Sequence, residues 1–163
     1  MRLTYRPLTE DDAEAYQPLR ATGVRNFPLG FLISVEDADI SEARCRKILS
    51  AGTMRGVFEG DTLIGFCGYQ RQSRARTQHR AELGPFFINS SHHGSGAARA
   101  LMQGVIEEAR DSGVEQLELH VDSENHRAIR FYEKTGFERI AYLPDMVRIN
   151  GVTRNDHMYR MRL

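Results

Sequence analysis

The sequence predicts a mixed α/β domain: a mostly antiparallel sheet with one parallel crossover and helices on both faces. Three observations carry this. Hydrophobic residues recur with a period of two in some stretches and near 3.6 in others, and the two kinds alternate along the chain. A strand-like run ending at Ile88, a helical run and a second strand-like run through Leu117 stand in series, which closes as a right-handed parallel crossover. Two further pairs of strand-like runs are joined by turn signals, at Glu59-Gly60-Asp61-Thr62 and at Asn150-Gly151, and such neighbours pair antiparallel.

Taken in order, the chain opens with a strand-like run from Leu3 to Arg6. Thr9 follows as an N-cap, with Glu10, Asp11 and Asp12 in the first turn, where the helix dipole favours carboxylates. Ala13, Tyr16 and Leu19 recur at helical spacing, and Pro18 is expected to distort or shorten this helix because it lacks an N–H. Val24 to Ile33 carries Pro28 and Gly30 and reads as an ordered loop. Ser34-Val35-Glu36-Asp37 offers the cap of a second helix running to about Leu49. From Thr53 the period turns strand-like: Met54, Val57 and Phe58 lead through Glu59-Gly60-Asp61-Thr62 into Leu63 to Tyr69, a hairpin. Gln70 to Arg80 is polar and arginine-rich, and Ala81 to Ile88 is the next strand. Within it Gly84-Pro85 suits a bulge, since proline breaks ladder pairing. Ala97, Leu101, Val105, Ile106 and Ala109 form one face of a helix that Gly113 ends. Leu117, Leu119 and Val121 alternate with polar residues as a strand. Glu124 to Thr135 is helical and closed by Gly136. Phe137 to Leu143 and His157 to Leu163 are the last strands, with Asn150-Gly151 as a turn between them. The final strand, Met158 to Leu163, is a candidate for pairing across a homodimer.

At 163 residues the chain predicts a single domain, 1–163, long enough to bury one core. Lys plus Arg and Asp plus Glu each number 22, so the formal net charge is zero, without the basic excess of a nucleic-acid binder. No stretch approaches the roughly 18 apolar residues of a membrane span. Met1-Arg2-Leu3-Thr4-Tyr5-Arg6 places charges where a secretory leader needs an apolar run. Cys45 and Cys67 match neither a CxxC pair nor a disulfide framework, and Cys67 reads as a small buried apolar side chain. The expectation is a cytoplasmic protein.

The most informative segment runs from Phe86 to Leu101. A strand leads into the small-residue loop Ser90-Ser91-His92-His93-Gly94-Ser95-Gly96, and the loop becomes the N-terminus of an amphipathic helix beginning Ala97-Ala98-Arg99. The first turn of a helix has unpaired N–H groups and a partial positive charge, and glycines let an anion approach them. Glycines there also allow close packing of helix on sheet, so the pattern has two readings. A Rossmann dinucleotide site fits poorly, because Arg99 occupies its third small position and the loop before Gly94 is long.

His93-Gly94-Ser95-Gly96-Ala97-Ala98 resembles the coenzyme A pyrophosphate loop of the GNAT acetyltransferases, whose pattern is Arg/Gln-x-x-Gly-x-Gly/Ala; His93 departs from its first position. Asn125 to Phe137, with Ala128, Tyr132, Gly136 and Phe137 in place, resembles that family's Asn-x-x-Ala-x-x-x-Tyr-x-x-x-Gly-Phe segment. At motif level the likeness covers about Ala81 to Phe137. It implies the family's acyl-CoA N-acyltransferase fold and an N-acetyltransferase that uses acetyl-CoA as acyl donor. It further implies direct attack of an amine in a ternary complex, the amine being a small molecule or a peptide N-terminus. A non-catalytic acyl-CoA sensor on the same fold is the alternative.

The resemblance also implies roles. The loop residues His93, Gly94, Ser95, Gly96, Ala97 and Ala98 would hold the pyrophosphate, and Asn125 the pantetheine arm. Backbone groups of Phe86, Phe87 and Ile88 would meet the thioester beside the bulge. Tyr132 is the candidate general acid for the departing sulfur; its plainer reading is a packing tyrosine beside Phe131. Glu82 is the candidate base, because a primary amine is mostly protonated at neutral pH; its plainer reading is a solvated strand-face carboxylate. His79 and His120 are rivals for that role, since histidine titrates nearest neutrality. His92-His93 has no further ligand at metal-binding spacing, and the chemistry needs no metal. Arg71, Arg74, Arg76, His79 and Arg80 form one basic cluster, read as a solvated hairpin loop or, less simply, as a contact for the coenzyme A 3′-phosphate or an acidic substrate.

Overall fold

The computed structural model describes residues 2–163. Seven strands form one sheet: β1 (Leu3–Pro7), β2 (Met54–Glu59), β3 (Thr62–Arg71), β4 (Arg80–Ile88), β5 (Gln116–Asp122), β6 (Glu138–Ile149) and β7 (Val152–Arg162). Four helices accompany them: α1 (Ala13–Asn26), α2 (Glu42–Ser50), α3 (Ala97–Asp111) and α4 (His126–Thr135). The strands lie in the order β1-β2-β3-β4-β5-β7-β6, with β4 and β5 parallel and every other neighbouring pair antiparallel. The expected mixed sheet with a single parallel crossover, through α3, is what forms.

Strand periodicity sends neighbouring side chains to opposite faces, so the sheet has a hydrophobic layer on each side. Phe66 joins Tyr16, Leu19, Cys45 and Leu49 under α1 and α2, while the next residue, Cys67, joins Leu101, Val105 and Tyr132 under α3 and α4. Gly104 lets α3 settle onto β1, because a Cβ there would lie 2.2 Å from the Tyr5 ring. Gly113, at φ +84°, ends α3 as expected. Cys45 and Cys67 are both free and fully buried. None of the helices among the described residues is long and apolar enough to cross a membrane.

Four expectations are corrected. Pro18 neither shortens nor breaks α1, which runs 14 residues through it; burial of Tyr16, Leu19 and Val24 on both sides of the proline outweighs the lost hydrogen bond. Ser34 does not cap the second helix. Its hydroxyl donates to Asp37 Oδ2 at 3.1 Å over a three-residue turn, and Ser41 caps α2 by accepting the Arg44 N–H at 3.1 Å. The last two strands are longer than expected. Asp145, at φ +52°, sits in an irregularity between Leu143 and Val147 beyond which the pairing resumes, and its N–H donates to Asn155 Oδ1 at 2.9 Å. Finally, Met158 to Arg160 offer no edge to a second copy, because β5 pairs with them on one side and β6 on the other; only Met161 and Arg162 run beyond the end of β6.

Candidate active site

β4 and β5 pair in register only from Arg80–Gln116 to Leu83–Leu119. Beyond that point they part. The cause is local: Gly84 and Pro85 together oppose the single residue Gly68 of β3, which is a bulge where the sequence suggested one. β4 stays on β3 through Phe86, Phe87 and Ile88, while β5 continues along β7 as far as Asp122. The backbone of Phe86 to Ile88 on the β5 side is thereby released from the ladder.

The strand then enters the glycine loop. Gly94 and Gly96 both have left-handed backbones, φ +80° and +91°, which side-chain-bearing residues rarely adopt. A Cβ at Gly94 would meet nothing within 4 Å, and one at Gly96 only Leu3 Cδ1 at 4.0 Å. These glycines therefore do not serve helix-on-sheet packing; the space beside them is open. Ser95 Oγ accepts the Ala97 N–H at 3.3 Å, and the N–H groups of Gly94, Gly96, Ala98 and Arg99 find no acceptor among the described residues. Four free donors beside open space at the N-terminus of a 15-residue helix make an arrangement that can hold an anion. His93 turns inward instead, and its Nε2–H donates to the Ile88 carbonyl at 3.1 Å.

A cleft of about 780 Å³ extends from this loop between α3 and α4 to Phe86, Phe87 and Ile88. His93, Gly94, Gly96, Ala97, Ala98, Asn125 and Tyr132 line it, so nearly all the cofactor residues named from the sequence meet there; Ser95 supports the loop from behind. Asn125 stands at the start of α4, beside the cleft. Its Oδ1 accepts the Ala128 N–H at 3.4 Å as the N-cap of that helix. A smaller cavity of about 70 Å³ occupies the slit between the parted strands, lined by Leu29 and Gly30 as well as Gly84 to Phe86, His120 and Tyr132.

Tyr132 borders both spaces. Its ring packs among Phe86, Phe131 and Phe137 with centroids 5.6–6.2 Å away. Burial, aided by the neighbouring Cys67, pushes its phenol well above the ordinary tyrosine value. The hydroxyl therefore stays protonated at neutral pH. Glu82 lies elsewhere: it is exposed on β4, in register with Gln70 and Glu118, and lines neither space.

The arginine-rich loop also lies outside the cleft. Arg71 donates to the Ser112 carbonyl at 2.8 Å and Arg80 to Glu118 at 2.8 Å, so both are structural. The basic groups that do line the cleft, Arg99, Arg127 and Lys134, escaped the sequence reading. A signal for two of them existed. Arg99 and Arg127 sit in the first turns of α3 and α4, where the dipole disfavours cations, and neither turn has a carboxylate, whereas α1 and α2 have Glu14 and Glu42. Among the described residues no three His, Cys, Asp or Glu side chains gather as a metal-holding group.

Comparison with known proteins accords with this geometry. The family model described as the acetyltransferase (GNAT) family matches residues 19–137. An uncharacterized N-acetyltransferase of Mycobacterium tuberculosis is 34% identical over 128 residues, 74% of this chain and 81% of that one. The mycothiol acetyltransferase of Brachybacterium faecium is 29% identical over 127 residues, 78% of this chain but 38% of that larger protein. Among solved structures, yncA of Salmonella typhimurium, determined with its cofactor acetyl-CoA, superposes with a TM-score of 0.84 at 18% identity, over 100% of this chain and 95% of that one.

Proposed function

The chain belongs to the GNAT family of acetyltransferases, and from that premise we propose that it acetylates an amine directly at the slit between β4 and β5, with Tyr132 as the acid. The observation that carries the reading is the continuity of the anion cradle at Gly94 to Arg99 with that slit. Acetyl-CoA, the acyl donor, supplies an acetyl group already activated as a thioester. The free N–H groups of the loop and first turn of α3 bind its pyrophosphate, with Arg99 and Arg127 adding charge. Asn125 and the backbone of Phe86 to Ile88 on the side away from β3 position the pantetheine arm. Donors on that backbone also face the carbonyl oxygen as it gains negative charge.

The amine lone pair forms the new C–N bond and the C–S pair leaves on sulfur. Tyr132 gives its proton to that sulfur and regains one from the proton that nitrogen loses. No cysteine is placed to carry the acetyl group, since burial raises the Cys67 thiol and seals it from the cleft. The acceptor is a small molecule or a peptide N-terminus, reaching the slit from the face opposite α3 and α4. A cytoplasmic location accords with Cys45 and Cys67 both being free thiols.

The test is an acetyl-CoA-dependent panel of amines read by mass, alongside melting temperatures with acetyl-CoA and with NAD. Acetylated product and a rise in melting temperature with acetyl-CoA alone are expected. Stabilisation without transfer to any amine would leave the sensor reading, and equal stabilisation by NAD would overturn the cofactor assignment.

A further inference from the structure

The slit has two sides, and each contributes one proton-carrying group. Tyr132 reaches it from the α4 face, and His120, whose register partner on β7 is Met158, from the opposite face. The charges around His120 are almost all spoken for. On its own strand Glu118 is held by Arg80 at 2.8 Å and by Arg160 at 3.1 Å, and Asp122 by Arg154 at 2.7 Å. The turn Pro28–Gly30 that covers the slit carries no titratable group. From β4 comes the exposed Glu82, and from α4 the neutral Tyr132. From β7 comes Asp156. It is 7% exposed and has no arginine; burial raises its carboxyl, His120 and His157 counter that, and its one basic partner within 4 Å is His120 Nδ1 at 3.9 Å.

A buried carboxylate without an arginine, beside a histidine whose ring lines the slit, is an arrangement for stabilising a transient imidazolium. We propose that His120, braced by Asp156, is the base that makes the acceptor amine nucleophilic. This rests on the acetyl-transfer reading above. The neutral imidazole takes one proton from the ammonium group R–NH3+ and leaves R–NH2, whose lone pair then attacks. The imidazolium, beside Asp156, passes that proton to water through its open side, the side chain being 35% exposed. Base and acid thus stand on opposite faces of the sheet, and nitrogen can enter from one as sulfur leaves toward the other. Glu82, outside the slit, has no such position.

The test compares wild type with His120→Asn, Asp156→Asn and Glu82→Gln, using the primary amine that wild type acetylates fastest and, as a second acceptor, hydroxylamine, which is largely unprotonated at neutral pH. In His120→Asn, acetyl-CoA affinity by calorimetry should be unchanged. Its kcat/KM for the primary amine should fall about 10²–10³-fold at pH 7, recover as pH rises, and stay near wild type for hydroxylamine. Asp156→Asn should lose about tenfold with the primary amine and, like His120→Asn, stay near wild type with hydroxylamine. Glu82→Gln should keep the wild-type profile. A wild-type profile in His120→Asn, equal loss with both acceptors, or the loss appearing in Glu82→Gln would overturn the assignment. Acetyl-CoA binding by wild type without any acetylated amine would instead strike the underlying reading.

Discussion

Gly68 and Gly84 meet backbone to backbone: a Cβ built on Gly68 would stand 2.0 Å from the Gly84 carbonyl oxygen. Only a glycine on β3 lets β4 bulge there, and the bulge is what parts β4 from β5. Gly68→Ala has no forbidden backbone angle to contend with, so its whole effect is steric. It should cost about 1–3 kcal/mol of stability, the usual penalty of overpacking, and narrow the slit. Urea unfolding and acetyl transfer measured together decide the matter. Stability lost with turnover intact would show that the slit opens independently of the bulge.

The glycine loop allows a cleaner comparison, since Gly96 borders open space but has a left-handed backbone. Gly96→Asn and Gly96→Asp carry the same strain and nearly the same volume, and differ in charge. Both should bind acetyl-CoA more weakly than wild type. The Asp variant should be weaker than the Asn variant by at least about tenfold, about 1.4 kcal/mol, because its carboxylate occupies an anion site. Calorimetric titration with acetyl-CoA reads the difference. Equal affinities would remove the pyrophosphate from this loop.

Acid should loosen the turn that presents Asn125. Burial alone would raise the Asp122 carboxyl, but the Arg154 guanidinium and the Glu124 N–H outweigh it and hold it below the ordinary aspartate range. A carboxyl lowered by folding contributes stability above its unfolded value, about 3.9, and loses it as pH falls through the folded value. Asp122→Asn should therefore be less stable at pH 7 by about 1–3 kcal/mol and show a flatter decline between about pH 5 and pH 2. Denaturant unfolding across that range is the measurement. Parallel curves for the two proteins would mean the ion pair contributes no pH dependence.

What the sequence disclosed about this site was what is local in the chain. Gly94 to Ala98 and Asn125 to Phe137 each place a helix terminus with a few adjacent residues, and both were legible. The slit was not, because it depends on where two strands far apart in sequence stop pairing. Gly84-Pro85 suggested a bulge without saying that Leu83 and Leu119 would be the last partners. Asp156 likewise reaches His120 only through the β5–β7 ladder. Ser34 failed as a cap because its hydroxyl found Asp37, a side-chain competition that the capping pattern does not express. Pro18 did not shorten α1 because packing on that helix exceeds the cost that propensity assigns it.

Tyr132→Phe keeps the ring and its contacts with Phe86, Phe131 and Phe137 and deletes only the proton. If Tyr132 protonates the departing sulfur, acetyl-CoA affinity should hardly change while the chemical step slows by about 10–10³-fold. The sign of its pKa displacement adds a second expectation. Burial raises the phenol, so it stays protonated well past the ordinary tyrosine value near 10. The ratio of wild-type to variant rate should accordingly be flat from about pH 6 to pH 9, since the acid is present throughout that window. Rapid-mixing measurement of the first turnover separates chemistry from product release. A Phe variant whose first turnover matches wild type would reduce Tyr132 to a packing residue. A deficit that fades between about pH 7 and pH 9 would mean the phenol ionises there, contrary to its burial.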